Sequence, residues 1–270
     1  MEASEGYESF DSLAYIKRKY SQMNELIAVP LREMHPIWES LEKEGRKDLK
    51  VLDFGCGPIP IYLCSAPRAA SEIVFAEYGA GNRDILKLWL DRDVSSPDYT
   101  PFFKYVVQDL EGLSDDTSVL ERQDDLRRLV KAIVPCDCTK DPPIDHGFNG
   151  PYDIINCSLC LAVASTTLEE YSLYLGRLTR MLRLGGRLFL NSIEARDGAK
   201  SFTYPTGTDN SQFFNSLSMN EDLLTFVLNE NGCKADRICH TYIDSTPGAR
   251  NYVSPEASAM IFVSATKVKE

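Results

Sequence analysis

Residues 50–60 read KVLDFGCGPIP, and this stretch decides the fold. Val51, Leu52 and Phe54 form an apolar run carrying one carboxylate, Asp53, and the run breaks into Gly55-Cys56-Gly57-Pro58. That is the pattern of a buried parallel strand delivering a turn that meets a ligand. Glycines there let a backbone approach a ligand where a Cβ would collide, and in open α/β sheets the crevice at the carboxyl ends of the strands is where ligands bind. A dinucleotide fingerprint, G-x-G-x-x-G, places a third glycine where this chain has Pro60, and a phosphate-binding loop needs a lysine close behind the second glycine, which is absent. Pyrophosphate and triphosphate ligands are therefore disfavoured.

Outward from the turn, strand and helix patterns alternate. The spacing predicts strands over 50–54, 72–78, 103–108, 152–161 and 187–193. Helices are predicted over 62–69, 82–92, a long stretch from Val119 to Ile133, 168–182 and 219–229. Two strand-like runs close the chain, 233–243 and 257–267, with no helix between them. Alternating strands and helices imply a parallel sheet covered on both faces, and the last pair implies one antiparallel strand. Two long segments, 110–150 and 194–215, follow strand ends and are expected to overhang the ligand crevice as insertions. The whole chain, 1–270, reads as one domain, with 1–48 an N-terminal lid and 49–270 the core.

Ahead of the core, Leu13, Ile16, Tyr20, Met23 and Ile27 recur at helical spacing over 12–44, interrupted by Pro30 and Pro36. On spacing alone this is an amphipathic cover for the sheet. Eight cysteines scattered through 270 residues do not make the framework of a small secreted domain, so reduced, packed thiols are expected. Cys157-x-x-Cys160 has no second pair at zinc spacing, and no metal is expected. With 29 Lys plus Arg against 40 Asp plus Glu, the net charge of -11 argues against nucleic acid as a partner. The first twelve residues have no secretory pattern and the longest apolar-leaning run, 154–164, is too short for a bilayer, so a cytoplasmic protein free of membranes is expected.

Glu77 ends the second predicted strand about twenty residues after the glycine turn. A carboxylate there accepts both hydroxyls of a ribose. Asp109 and the step Cys136-Asp137-Cys138 follow at later strand ends, and Asp137 is a candidate acceptor for an adenine amine, with a turn-capping role as the alternative. A nucleoside without phosphates, such as S-adenosylmethionine, has this chemistry.

These residues resemble the nicotinamide, phenylethanolamine and indolethylamine N-methyltransferases, a branch of the class I S-adenosylmethionine-dependent enzymes. The likeness runs over nearly the whole chain. It is carried by AYIKRKY (14–20), VLDFGCGP (51–58), EIVFAEY (72–78) with Asn82 and Trp89, YVVQDLEG (105–112), LRRLVKAIVPCDCT (126–139), SLCL (158–161) and LGGRLFL (184–190). It implies a Rossmann-like α/β fold: a seven-stranded, mostly parallel sheet with one antiparallel strand, helices on both faces and a helical lid. The implied cofactor is S-adenosylmethionine. On matching positions its shell comprises Tyr15 and Tyr20 closing from the lid, Gly55, Cys56, Gly57, Pro58 and Tyr62 at the turn, Glu77 with Tyr78 and Asn82 at the ribose, Asp137 and Cys138 at the adenine edge, and Ser158 beside the methionine moiety.

The acceptor side follows the pattern less closely. Ala162 stands where relatives carry an acid, Tyr62 is one place from the expected tyrosine, and a gap is needed to align Glu194. The resemblance implies Glu194 and Tyr15 as catalytic groups, with Leu159, Ala162, Glu194, Tyr204 and Ser216 around the substrate; Glu256 is a substitute acid. The expected activity is methyl transfer to the nitrogen of a small amine or azaheterocycle by a monomer. Nicotinamide is the first candidate, and an arylalkylamine or a non-catalytic cofactor binder is the alternative.

Overall fold

The computed structural model describes residues 10–145, 147–206 and 213–270, with only the backbone described at 204, 205 and 251. At its centre β1 (Leu49–Phe54) pairs in parallel with β2 (Ala70–Ala76) on one side and β4 (Tyr152–Ser158) on the other. β3 (Val130–Val134) extends the sheet beyond β2, and β5 (Leu182–Ala195) beyond β4, both in parallel. The far edge is β9 (Ala257–Lys267) followed by β8 (Cys233–Tyr242), and β9 runs antiparallel to both of its neighbours. The order is β3-β2-β1-β4-β5-β9-β8, a seven-stranded sheet reversing direction only at β9.

Parallel strands buried on both faces need apolar side chains on both, and β1 is buried at five of six positions. One face packs Trp38, Phe103, Phe189 and Phe262 into a cluster; the other packs Leu52, Tyr171, Leu175, Leu224 and Val227. No helix among the described residues is long and apolar enough to cross a membrane.

Several elements differ from the sequence expectation. The predicted strand over 103–108 is helical instead, a short helix Thr100–Lys104 running into a π-helix Tyr105–Leu110 that buries the adjacent Val106 and Val107. The third strand is Val130–Val134, the tail of what the leucine spacing extends as a helix to Ile133; the helix stops at Leu129. Within the segment 110–150, a helix (Asp116–Leu129) and β3 belong to the core, and among the described residues 136–140 reach the crevice. Pro30 and Pro36 do not interrupt the helix Glu25–Lys43. An interior proline costs about 3 kcal/mol, and burial of Leu31, Met34 and Trp38 at about 1.5–3 kcal/mol each offsets it. Residues 62–69 make two 3₁₀ turns, Ile61–Leu63 and Ala66–Arg68. The segment expected to be irregular, 194–215, contains a hairpin, β6 (Ser201–Pro205) against β7 (Phe213–Leu217), placed over the crevice.

Candidate active site

Beyond β1 the chain turns through Gly55 and Gly57, at φ +65° and +64°. The two glycines serve different ends. A Cβ on Gly55 would lie 2.2 Å from the Cys160 sulfur, whereas Gly57 faces open space with nothing within 4 Å. The first permits close packing beneath the turn; the second leaves backbone bare towards the crevice. The buried Tyr99 hydroxyl donates to the Pro58 carbonyl at 2.5 Å and pins the outer limb.

Glu77 lies one residue past β2 and is 4% exposed. Its carboxylate accepts from the Gly57 N–H at 2.8 Å, the Gly79 N–H at 2.8 Å and the Asn82 amide at 2.9 Å. Burial pushes its pKa up, and these three donors pull against that shift. Asn82 in turn accepts from Ser12 Oγ at 2.6 Å, so the lid helix Ser12–Lys19 is tied through two side chains to the glycine turn. Ser12 had no signal in the sequence beyond its place at a helix start.

The turn, the strand ends, the lid and the hairpin enclose a cavity of about 930 Å³. Its wall includes Tyr15, Tyr20, Gly55, Cys56, Gly57, Pro58, Tyr62, Glu77, Tyr78, Asn82, Asp137, Cys138, Ser158, Leu159, Ala162 and Ser216, so these expected site residues are brought together. Asp137 also does what a turn carboxylate does: its Oδ1 accepts from the Thr139 N–H at 2.9 Å and the Thr139 hydroxyl at 2.6 Å. Beside it, burial pushes the Cys138 thiol up, leaving a neutral wall. Leu159, just past β4, adopts φ +59°, a sparsely populated conformation for a branched side chain and one that clusters at ligand sites.

Glu194 is not brought to the cavity. Side chains alternate along β5, and it is Ile193 that lines the wall, so Glu194 projects from the opposite face of the sheet. Glu256 is also elsewhere, accepting from the Thr203 N–H at 2.7 Å at the foot of the hairpin. Tyr204 lies in β6, and its side chain falls outside the described residues. A chain of rings also lines the cavity, and two of its members, Phe10 and Phe214, are absent from the sequence expectation: Phe10 and Phe214 lie 6.2 Å apart, and Phe10 lies 5.2 Å from Tyr15, which lies 5.6 Å from Tyr20. This aromatic chain joins lid to hairpin.

The residues fit an adenosylated sulfonium amino acid. Glu77 faces a cradle whose backbone is open at Gly57, and beneath it Asp53 is fully buried with Oδ2 unpartnered. Two buried carboxylates on the floor suit a ligand carrying cations. The sheet order and this glycine turn are those of the class I methyltransferase fold. Solved structures agree on the fold. Magnesium protoporphyrin IX methyltransferase from Synechocystis superposes with a TM-score of 0.56 at 15% identity, covering 99% of this chain and 98% of that one. A methyltransferase from Methanosarcina mazei gives 0.56 at 14% identity over 83% and 95%. Among sequences, nicotinamide N-methyltransferase from Sus scrofa is 32% identical over 189 residues, 70% of this chain and 67% of the relative. Phenylethanolamine N-methyltransferase from Bos taurus is 28% identical over 196 residues, 69% and 67%. The family model described as NNMT/PNMT/TEMT matches residues 1–268, and the chain belongs to that family. It is an enzyme, an S-adenosylmethionine-dependent N-methyltransferase.

Proposed function

We propose that this enzyme methylates the ring nitrogen of a small azaheterocycle, with nicotinamide the first candidate, acting as a cytoplasmic monomer. The observation that carries the reading is the chemistry of the cavity wall. Among the described residues its carboxylates are Glu77, Asp137 and Glu170. Each has a carboxylate oxygen engaged by backbone or hydroxyl donors, Glu170 by the Thr166 N–H and hydroxyl at 2.8 Å. Among the described residues, the part of the wall formed by Leu159, Ala162, Ile193 and the ring chain from Phe214 to Tyr20 contributes apolar and aromatic side chains and no further carboxylate.

When bound, the cofactor supplies an electrophilic methyl group on its sulfonium. A pyridine-type nitrogen attacks with a lone pair that is free at neutral pH, and the product is quaternary, so no proton has to leave. An aliphatic amine is protonated there and needs an acceptor for that proton. This cavity is suited to the first case. Its work is to hold donor and acceptor in line, which can supply about 7–11 kcal/mol. Tyr15, Tyr20, Phe10 and Phe214 surround the charge as it moves to the acceptor, a contact worth about 0.5–2 kcal/mol. The test is S-adenosylhomocysteine release with nicotinamide and with phenylethylamine in parallel. Turnover of nicotinamide by a wide margin is expected; turnover of the amine alone would reject the reading.

A further inference from the structure

Beside the main cavity lies a smaller chamber of about 40 Å³. A single water needs roughly 10–15 Å³, so the chamber takes a small substituent and not a second ring. Tyr20, Tyr62, Leu159 and Ile193 line both spaces, which sets the chamber against the apolar part of the wall assigned above to the acceptor.

Among the described residues one charged side chain lines the chamber, Lys19, and no carboxylate does. Lys19 lies in the last turn of the lid helix and is 6% exposed. Its ammonium donates to the carbonyl of Tyr252, and Tyr252 lines the chamber too, so the charge is held at the chamber wall. The Gln22 amide donates to the Tyr252 hydroxyl at 2.5 Å and fixes the same residue from the far side of the lid helix.

Burying an ammonium is costly, and a carbonyl, which has no net charge, offsets less of that cost than an anion does. Burial, with Arg18 nearby, lowers the Lys19 pKa to about 7, and an anion in the chamber would push it back up. A carboxylate also matches the cation in form, since the ammonium carries three donors and the carboxylate two accepting oxygens. Methyl transfer to a ring nitrogen leaves the ring a cation. A fixed ammonium close by opposes that charge unless an anion stands between the two.

We propose that Lys19 is a specificity-determining residue whose ammonium binds a carboxylate carried on the acceptor ring, so that the substrate class is an azaheterocyclic carboxylate such as pyridine-3-carboxylate, with nicotinamide its neutral analogue. This rests on the azaheterocycle reading above and refines its first candidate. The chemical step is unchanged: the ring-nitrogen lone pair forms the new N–C bond as the S–C bond breaks, the bonding electrons return to sulfur, and the product is a zwitterion formed without release of a proton.

The test is kcat/KM for S-adenosylhomocysteine release at neutral pH with pyridine-3-carboxylate, nicotinamide and 3-methylpyridine, in the parent enzyme, Lys19→Met and Lys19→Arg. The parent is expected to favour the carboxylate over nicotinamide by about tenfold, the scale of one charge-assisted hydrogen bond. Lys19→Met should lower the value for the carboxylate about tenfold or more and raise that for 3-methylpyridine, whereas Lys19→Arg should keep the parent's order. A parent that favours nicotinamide would overturn the proposal. So would a Lys19→Met loss equal for all three rings, which would leave Lys19 a residue that only docks the lid. Turnover of phenylethylamine with none of the pyridines would reject the azaheterocycle reading, and this proposal with it. The comparison in the parent enzyme decides the matter even if a variant does not fold.

Discussion

At the scale of single residues, Glu77 and Asp53 show how a buried carboxylate can be kept. Glu77 is surrounded by donors that hold the turn in shape, and we propose that it also faces the ribose. Glu77→Ala should therefore cost about 1.5–3 kcal/mol of cofactor binding, about tenfold to a hundredfold in Kd for S-adenosylhomocysteine; an unchanged Kd would remove it from the site. Asp53 has one donor, and burial raises its pKa to about 7. The unfolded chain binds that proton far more weakly, at the ordinary carboxylate value. The group's stabilising contribution is thus fully present below the unfolded pKa and is lost as pH rises through about 7. Asp53→Asn should raise Tm more at alkaline than at mildly acidic pH in a melting series; an equal shift at both would mean that Asp53 is not held in this state. Both acids stand out in the sequence because each sits where an apolar run ends or is broken. Glu194 misled for a related reason: a one-residue change of register on a strand moves a side chain to the other face, and the alignment there needs a gap.

At the scale of elements, the glycine turn separates two effects that the sequence shows as one motif. Gly55 has both a left-handed φ and a sulfur in the space of a Cβ, whereas Gly57 has the φ alone. Gly57→Ala should cost about 1–2 kcal/mol, the ordinary strain of that conformation, and Gly55→Ala clearly more, measured as the difference in unfolding free energy. Equal costs would contradict the packing against Cys160. The lid and hairpin meet through Phe10 and Phe214, so Phe214→Ala should raise KM for the acceptor more than it lowers kcat, as measured in steady-state kinetics; a pure kcat effect would place the ring elsewhere in the cycle. Elements were legible where one period dominates, as in β1, β4 and β9. They were misread where a period continues across a boundary: Leu126, Leu129 and Ile133 keep helical spacing through the start of β3, and the β-branched Val130, Ile133 and Val134 were the signal for a strand. The hairpin was hidden because its strands are short and pack over a crevice that the rest of the chain builds.

At the scale of the whole molecule, the sheet was readable because alternating strands and helices admit few topologies, and a closing pair without a helix must be antiparallel. The enclosure of the cavity was not readable, since it depends on residues from the lid, the glycine turn, three strand ends and the hairpin converging from positions 10 to 217. That convergence brings the carboxylates of Glu77 and Asp137 and the rings of Phe10, Tyr15, Tyr20 and Phe214 to one cavity, where we propose that the acids meet the cofactor and the rings the methyl acceptor. We propose that transfer here needs no base, and the pH profile of kcat/KM with nicotinamide tests this most directly. Between about pH 7 and about pH 9 a level profile is expected, because the acceptor is already neutral and no proton leaves. A limb rising with pH across that interval, reporting a group that must lose a proton before transfer, would contradict it.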